Sequence, residues 1–143
     1  MNNNNHNNTD YLNMIQGIIN RMAGNSALMK GFAATVFAAL LAVAKEEWYY
    51  TGLSILPLLG FVILDVYYLR LEKKYRNLYA LVAEGKVKNT NYTLDLRNKV
   101  FRAFQKEINA NAGVCKTLFS VSIGLFYIWF LVVAIILTII ALI

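Results

Sequence analysis

The stretch that decides the fold runs from Leu118 to Ile143, reads LFSVSIGLFYIWFLVVAIILTIIALI and carries no charged side chain. As an α-helix it is about 39 Å long, which exceeds the roughly 30 Å hydrocarbon core of a bilayer. Hydrophobic residues make up 58% of the chain, against about 45–50% in a typical soluble domain. We therefore predict an integral membrane protein in which residues 118–143 form the last transmembrane helix.

Two further apolar blocks precede this one. Residues 27–44 are interrupted only by Lys30, and residues 51–69 contain Asp65. The short segment 45–50 between them reads KEEWYY, and tryptophan and tyrosine beside charged residues are typical of a membrane–water boundary. The predicted fold class is all-α, an integral membrane helical bundle with three transmembrane helices.

The N-terminal region is more polar. Residues 1–9 form an Asn-rich, low-complexity tail that cannot bury apolar surface, so we predict it to be disordered. Residues 10–24 place apolar side chains at helical spacing, but they are too few and too polar to cross a membrane. They predict an amphipathic helix in the membrane interface or covering the bundle. The sequence Ala23-Gly24-Asn25-Ser26 predicts a break after it.

Residues 70–113 are predicted to form a basic helical hairpin outside the membrane. An apolar stripe continues from the second span past Arg70, which predicts one uninterrupted helix ending near Gly85. A second helix of about 15 residues, 94–109, would pack against the first as an antiparallel neighbour. Its apolar stripe consists of Phe101, Phe104 and Ile108.

Basic residues are distributed unevenly around the predicted spans. The chain has 14 Lys and Arg against 8 Asp and Glu, a formal net charge of +6, and most of the cations lie between Tyr68 and Leu118. Only Lys45 is left for the opposite side, where two glutamates follow it. Because cytoplasmic loops carry the excess of Lys and Arg, the N-terminus and hairpin are predicted to be cytoplasmic. The C-terminus would be periplasmic or extracellular.

Asp65 is the most informative single residue, because a carboxylate within a span costs about 2.5–3.5 kcal/mol on insertion scales. Lys30, on the antiparallel first span, is expected at a similar depth. Three interpretations stay open: a structural Lys30–Asp65 ion pair, a cation path or gate lined by these residues, or snorkelling of Asp65 to the interface.

The basic hairpin also admits several interpretations. It can serve only to fix topology, it can be attracted to anionic lipid headgroups, or it can bind a cytoplasmic protein or a nucleotide trigger. Nothing resembling a Gly-rich phosphate loop supports a nucleotide, and the position of the cations beside spans argues against nucleic acid. The candidate contacts for ligand, lipid or partner are Lys73, Lys74, Arg76, Arg97 and Arg102.

The sequence offers no chemistry of an enzyme. Its one histidine, His6, lies in the Asn tract, and its one cysteine, Cys115, has no partner for a disulfide. We find no nucleophile–base pair, metal-ligand cluster or paired catalytic carboxylates. We therefore expect no catalytic residue, no metal and no cofactor.

The first span carries a stripe of small side chains at helical spacing. Such stripes permit close approach of transmembrane helices. Intramolecular packing and assembly into a homo-oligomer explain it equally well. The stripe consists of Gly31, Ala34, Ala38 and Ala42.

Two segments carry a resemblance to a known family. Residues 64–79 read LDVYYLRLEKKYRNLY and residues 15–23 read IQGIINRMA, followed by Asn25-Ser26. These segments resemble a family of small three-span bacterial membrane proteins found near anti-phage signalling genes. The resemblance covers about the first 80 residues and implies a bacterial inner-membrane protein, with no catalytic residues to transfer.

These observations lead to three functional hypotheses. The first is an oligomeric effector that permeabilises or depolarises the bacterial inner membrane in a defence or stress response, when triggered from the cytoplasm. The second is a non-conducting anchor or scaffold whose basic hairpin docks a soluble partner. The third is a phage holin, although the charge here lies in the middle of the chain rather than in a short basic C-terminal tail.

Overall fold

The computed structural model describes residues 3–43, 52–87 and 92–142. The predicted boundary turn at 45–50 lies outside the described residues. Within the described part the chain is helical and contains no strand, as predicted. The elements in order are α1 (Asn3–Val43), α2 (Ile55–Ala83), a 3-10 helix (Lys99–Phe104), α3 (Gln105–Ile108), α4 (Val114–Leu118) and α5 (Val121–Leu142).

Helix α1 is continuous from Asn3 to Val43 and packs along α2. The predicted break at 23–26 is therefore wrong, and so is the predicted disorder of the tail from Asn3 onward. This region has no proline, and a glycine inside a helix lowers helix stability by only about 1 kcal/mol relative to alanine. Packing against a neighbouring helix outweighs that loss. Ser26, expected as a helix cap, instead turns its side chain toward α2.

The segment 10–24, predicted as a separate helix in the interface or covering the bundle, is the first half of α1 and packs against α2. Its side chains Tyr11, Ile15 and Ile19 are almost fully buried. The apolar periodicity was correctly assigned to a helix. The surface against which this helix packs is the part of α2 beyond Arg70. We call this packing the distal core: Tyr11, Ile15, Ile19, Leu78, Leu81, Val82, Val87, Phe101 and Ile108.

Helix α2 confirms the predicted continuation past Arg70, because it runs without interruption to Ala83. It begins at Ile55, and Thr51, the predicted start of the second span, lies outside the described residues. It ends where the sequence predicts, since Gly85 has φ +69°. The Gly85 amide donates to the carbonyl of Val82 at 3.0 Å, which closes the last turn.

Gly85→Ala is expected to lower the free energy of unfolding by about 1–2 kcal/mol, because an L side chain is strained at this φ. No atom lies within 4 Å of the added Cβ, so the effect is conformational rather than steric. Gly17→Ala, in the middle of α1 and equally open, is the matched control and should raise stability by up to about 1 kcal/mol. Thermal unfolding in detergent measures both, and the same sign for the two variants would contradict this account.

We call the part of the hairpin that follows α2, residues 92–113, the second arm. It does not form the predicted helix over 94–109. Residues 92–98 are irregular, and the 3-10 helix and α3 follow. Two side chains compete with helix formation, since Asp95 accepts from the Arg97 amide at 3.0 Å and Asn98 accepts from the Val100 amide at 3.1 Å. The expected inward direction of its aromatic stripe is nevertheless observed, with Phe101 and Ile108 buried in the distal core.

The last apolar block is divided. Its first residues belong to the short helix α4, Phe119 and Ser120 form a turn, and α5 begins at Val121 rather than at Leu118. Much of its apolar surface faces outward: Phe119 is 84% exposed, Leu125 72% and Trp129 66%. A soluble monomer rarely presents an apolar surface of this kind.

Two helices of the described part are long and apolar enough to cross a membrane. They are residues 8–43 and residues 121–140, and only 17% of each apolar window is buried within the protein. This low burial differs from the core helix of a soluble protein. Together the two helices suggest a membrane protein.

These apolar helices share a second cluster, which we call the proximal core. It joins α1, α2 and α5, and it lies on the other side of Ser26 and Asp65 from the distal core. The protein therefore has two apolar cores in series along the α1–α2 pair, with a polar layer between them. The proximal core consists of Ala33, Phe37, Leu58, Val66, Ile123, Tyr127 and Ala134.

Candidate functional site

The polar layer is built on an ion pair between α1 and α2. The ammonium of Lys30 lies 2.6 Å from Oδ2 of Asp65. Asp65 is fully buried, and the Lys30 side chain is 17% exposed. The contact to Oδ2 is an ion pair rather than a directed hydrogen bond. The structure thus brings together the two residues that the sequence proposed as a pair or gate.

Ser26 completes the pair into a three-membered cluster. Its hydroxyl donates to Oδ1 of Asp65, and the Lys30 ammonium donates to the Ser26 hydroxyl oxygen at 3.0 Å. Ser26 and Lys30 are one turn apart on α1, so both face α2. Each oxygen of the carboxylate has a polar neighbour, which is what a buried charge requires.

Helix α5 contributes one more polar group to this region. Tyr127 interacts electrostatically with Asp65, although its hydroxyl has no hydrogen-bond partner within the described residues. The buried hydroxyl of Ser120 is in the same state. Ile123 and Tyr127 lie at helical spacing on the buried face of α5, and Ser120 lies in the turn that precedes this helix. Buried hydroxyls of this kind are typically satisfied by ordered water.

Asp65 lies about one and a half turns, or about 7 Å, from Arg70 along α2. If the apolar segments cross a bilayer, the cluster lies toward the end of the span that adjoins the basic hairpin. Pairing Asp65 with Lys30 cancels the net charge and offsets the insertion cost of both. Because Asp65 is fully buried, the cluster is closed in this chain, and breaking the pair would release a carboxylate between three helices.

Beyond the cluster, from Arg70 to Asn77, the polar face of α2 contacts the second arm and α4. Arg70 Nε donates to the carbonyl of Ala112 at 2.9 Å, and the Lys73 ammonium lies 3.4 Å from the Thr117 hydroxyl oxygen. The amide of Asn77 donates to the carbonyls of Ile108 and Ala110. Lys73, predicted as a ligand contact, is therefore engaged within the chain.

The other predicted contact residues do not converge on one site. Arg76 pairs with Glu72 at 2.7 Å, and Arg97, with a side chain 94% exposed, lies 3.5 Å from Asp95. For Lys74 and Arg102 the described part shows no ion pair. The hairpin cations are spread over both arms, so they form a surface rather than a pocket.

Two tyrosines fix the far end of the second arm. The Tyr11 hydroxyl donates to the carbonyl of Thr93 at 2.7 Å, and the Tyr75 hydroxyl donates to the carbonyl of Leu94 at 2.9 Å. Burial, reinforced by the charge of Asp95, raises the pKa of Tyr75. Tyr75 therefore remains a neutral donor throughout the physiological pH range.

Sequence reasoning missed Ser26 and Tyr127 as members of the cluster. The signal for Ser26 was its position one turn before Lys30, which places both side chains on one helix face. Tyr127 carries no such local signal, because its proximity to Asp65 arises only when α5 packs against the α1–α2 pair.

Comparison of the chain with protein families, with curated proteins and with solved structures found no match. The resemblance to small bacterial membrane proteins therefore stays a prediction.

Proposed function

We propose that this chain is a three-span protein of the bacterial inner membrane that depolarises or permeabilises the membrane as a homo-oligomer when triggered from the cytoplasm. The observation that carries the proposal is the closed Ser26–Lys30–Asp65 cluster between the apolar helices. Ionisable residues within a span are usually associated with ion or proton pathways. In addition to the two long apolar helices, we propose that the first part of α2, residues 55–69, also spans the membrane. It is the middle span in chain order and precedes the basic segment.

The proposed topology follows from charge. The hairpin formed by the end of α2 and the second arm carries most of the cations, so it and the N-terminus are assigned to the cytoplasm and the C-terminus to the periplasm or exterior. Because the N-terminal half of α1 packs on this hairpin, the two share one side of the membrane. A trigger in the cytoplasm would meet this folded unit.

Oligomerisation is supported by the small-residue stripe on α1. Three of its four residues, Gly31, Ala38 and Ala42, are exposed and Ala34 is half-buried, whereas the buried face of α1 carries Ala33 and Phe37. The stripe is therefore not consumed by packing within the chain and is available to another copy. Three spans are too few to enclose an aqueous path alone, so conduction requires such assembly.

The second arm offers a route from trigger to cluster. It is bound to α2 at Arg70, about 7 Å along the helix axis from Asp65. A ligand or protein that moves the second arm would pull on α2 beside the ion pair. The proposed gate thus has two arrangements: paired and closed, or separated with Asp65 exposed to a path between subunits.

Induced expression in bacteria is expected to lower the signal of a membrane-potential dye. Lys30→Gln should depolarise at lower expression than the parent chain, because the Asp65 carboxylate then loses its counter-charge and attracts permeating cations. Lys99→Gln, which removes an exposed hairpin cation, is the matched control and should behave like the parent.

Membrane fractionation must accompany the dye measurement, so that all variants are compared at equal inserted amounts. An unchanged potential for the parent and both variants, despite insertion, would exclude the effector function.

The second candidate is a non-conducting anchor whose hairpin docks a soluble partner. The observation in its favour is that the second arm is held rigidly on α2 while presenting exposed Lys99, Arg102 and Lys106. An anchor would leave the dye signal unchanged at every expression level, so the same experiment separates the two candidates.

A further inference from the structure

The Ser26–Lys30–Asp65 cluster forms a continuous series of groups that can exchange protons. The Lys30 ammonium donates to the Ser26 hydroxyl oxygen at 3.0 Å, and the Ser26 hydroxyl donates to Oδ1 of Asp65. Asp65 is fully buried, whereas the Lys30 side chain is partly exposed. The series therefore connects the protein surface with a carboxylate in the interior.

Helix α5 brings one more group of this kind to the carboxylate. Tyr127 is buried and interacts electrostatically with Asp65. Its hydroxyl has no hydrogen-bond partner within the described residues, so its proton and its lone pairs are available to a water molecule.

Two titratable side chains of the described residues thus face Asp65. They are Lys30 from α1 and Tyr127 from α5. The second arm and α4 meet α2 farther along, since their hydrogen bonds to this helix begin at Arg70.

These groups suit a proton better than a metal cation. An alkali-metal ion needs several oxygens in place of its hydration shell, and the described contacts of Asp65 bring the hydroxyls of Ser26 and Tyr127 to it. The place beside Oδ2 is taken by the Lys30 ammonium, at 2.6 Å. The described residues also contain no group of three or more His, Cys, Asp or Glu side chains that could hold a metal ion. A proton needs one lone pair of the carboxylate.

We propose that the ion conducted by this chain is the proton, and that the Asp65 carboxylate carries it across the polar layer. The inference rests on the proposed function, because it names the ion that passes the proposed gate. Carboxylates within membrane spans commonly serve as proton relays.

The proton is taken up when the ion pair opens. Lys30 turns toward the interface, and water takes the place of its ammonium beside Oδ2. A hydronium ion then gives one proton to Oδ2, so that one O–H bond breaks, another forms, and the buried carboxylic acid is neutral. When Lys30 returns, Asp65 releases the proton to water beside the Tyr127 hydroxyl, and the ion pair forms again. Lys30 keeps its own proton throughout, and one proton crosses the polar layer in each cycle.

Proton and potassium fluxes in vesicles test the proposal. The full chain is reconstituted into vesicles of phosphatidylethanolamine and phosphatidylglycerol that contain potassium and a pH-sensitive dye. With valinomycin, the outward potassium gradient drives protons inward and the dye reports their entry. In parallel vesicles an uncoupler replaces valinomycin, and a potassium electrode follows potassium release through the protein. Lys30→Gln, which is expected to conduct without a trigger, should take up protons while its potassium release stays at the level of protein-free vesicles.

Variants of Asp65 in the Lys30→Gln chain separate proton transfer from structural damage. Adding Asp65→Asn leaves no unpaired charge between the helices, so this chain should fold. Its proton influx should nevertheless fall by about a hundredfold, because an amide cannot take up the proton. Adding Asp65→Glu should retain the influx.

Tyr127→Phe in the same chain tests the hydroxyl of α5. It should lower proton influx without raising potassium release, since the ring still packs but the hydroxyl is lost. Tyr67→Phe is the matched control, because it removes the same atom from an exposed side chain, and it should leave both fluxes unchanged.

The two proposals fail in different ways. Potassium release by Lys30→Gln that matches its proton influx, or proton influx that persists after Asp65→Asn is added, would overturn proton conduction through Asp65 and leave depolarisation standing. An equal effect of Tyr127→Phe and Tyr67→Phe would overturn the part assigned to Tyr127. Absence of both fluxes from the parent and from Lys30→Gln, with the protein recovered in the vesicles, would contradict the proposed function itself.

Discussion

Asp65→Asn is expected to lower the free energy of unfolding by about 3 kcal/mol, the lower end of the range for breaking a buried ion pair. The amide keeps the shape of the carboxylate and can still accept from Ser26, so the loss is chiefly the counter-charge of Lys30. The effect stays at the lower end because the Lys30 side chain is 17% exposed and can turn toward the interface. Unfolding in mixed micelles with increasing sodium dodecyl sulfate measures the change.

The double variant Lys30→Met with Asp65→Asn is expected to recover most of that loss. Methionine fills the volume of the lysine stem without an ammonium, so no unpaired charge remains between the helices. The cycle of two single variants and the double variant isolates the coupling of the two side chains. Glu107→Gln, which neutralises an exposed carboxylate of α3, controls for the change in net charge.

The outcome also decides between two roles for the pair. If the two single variants change the free energy of unfolding little and their effects add in the double variant, the pair does not hold the helices together. In that case a change in dye signal from Asp65→Asn would assign the carboxylate to conduction rather than to structure. The pair would have both roles if the two single variants are strongly coupled, the double variant recovers stability, and depolarisation is nevertheless altered.

The parts of the fold that sequence predicted best depend on local physics. The continuation of α2 past Arg70 follows from an apolar stripe that does not lose its period, and its end follows from a glycine at positive φ. The proximity of Lys30 and Asp65 followed from depth matching in antiparallel helices. That argument needed no side-chain detail, because helix rise alone sets the depth.

The errors arose where local signals compete with packing. Residues 23–26 have the composition of a helix break, yet α1 continues because both of its halves have a partner on α2. In the second arm the opposite happened, since side-chain bonds from Asp95 and Asn98 to the backbone replaced a helix with turns. Neither outcome can be read from periodicity, which reports the direction of side chains but not the partner.

The candidate site shows the same division. Its charged members were visible because charge within an apolar segment is rare. Ser26 and Tyr127 were not, because hydroxyls are common in spans and their roles depend on which helix faces them.

Phe101→Ala is expected to lower the free energy of unfolding of the unit around the distal core by about 3–5 kcal/mol. Phe101 is fully buried in the distal core, where α1, α2 and the second arm meet. Hydrogen exchange of α2 beyond Arg70 measures the effect, because its amides open with this unit. Protection there should fall by roughly a hundredfold or more.

Phe119→Ala is the matched control, since the same atoms are removed from a side chain that is 84% exposed. It should leave protection in the unit around the distal core unchanged. If Phe101→Ala also leaves protection unchanged, the second arm does not contribute to the distal core, and it cannot transmit movement to α2. If protection falls only beyond Arg70 and not around Asp65, the two cores open independently. The polar layer would then separate the cores energetically, and a trigger would have to act through the Arg70–Ala112 contact rather than through general loosening of the hairpin.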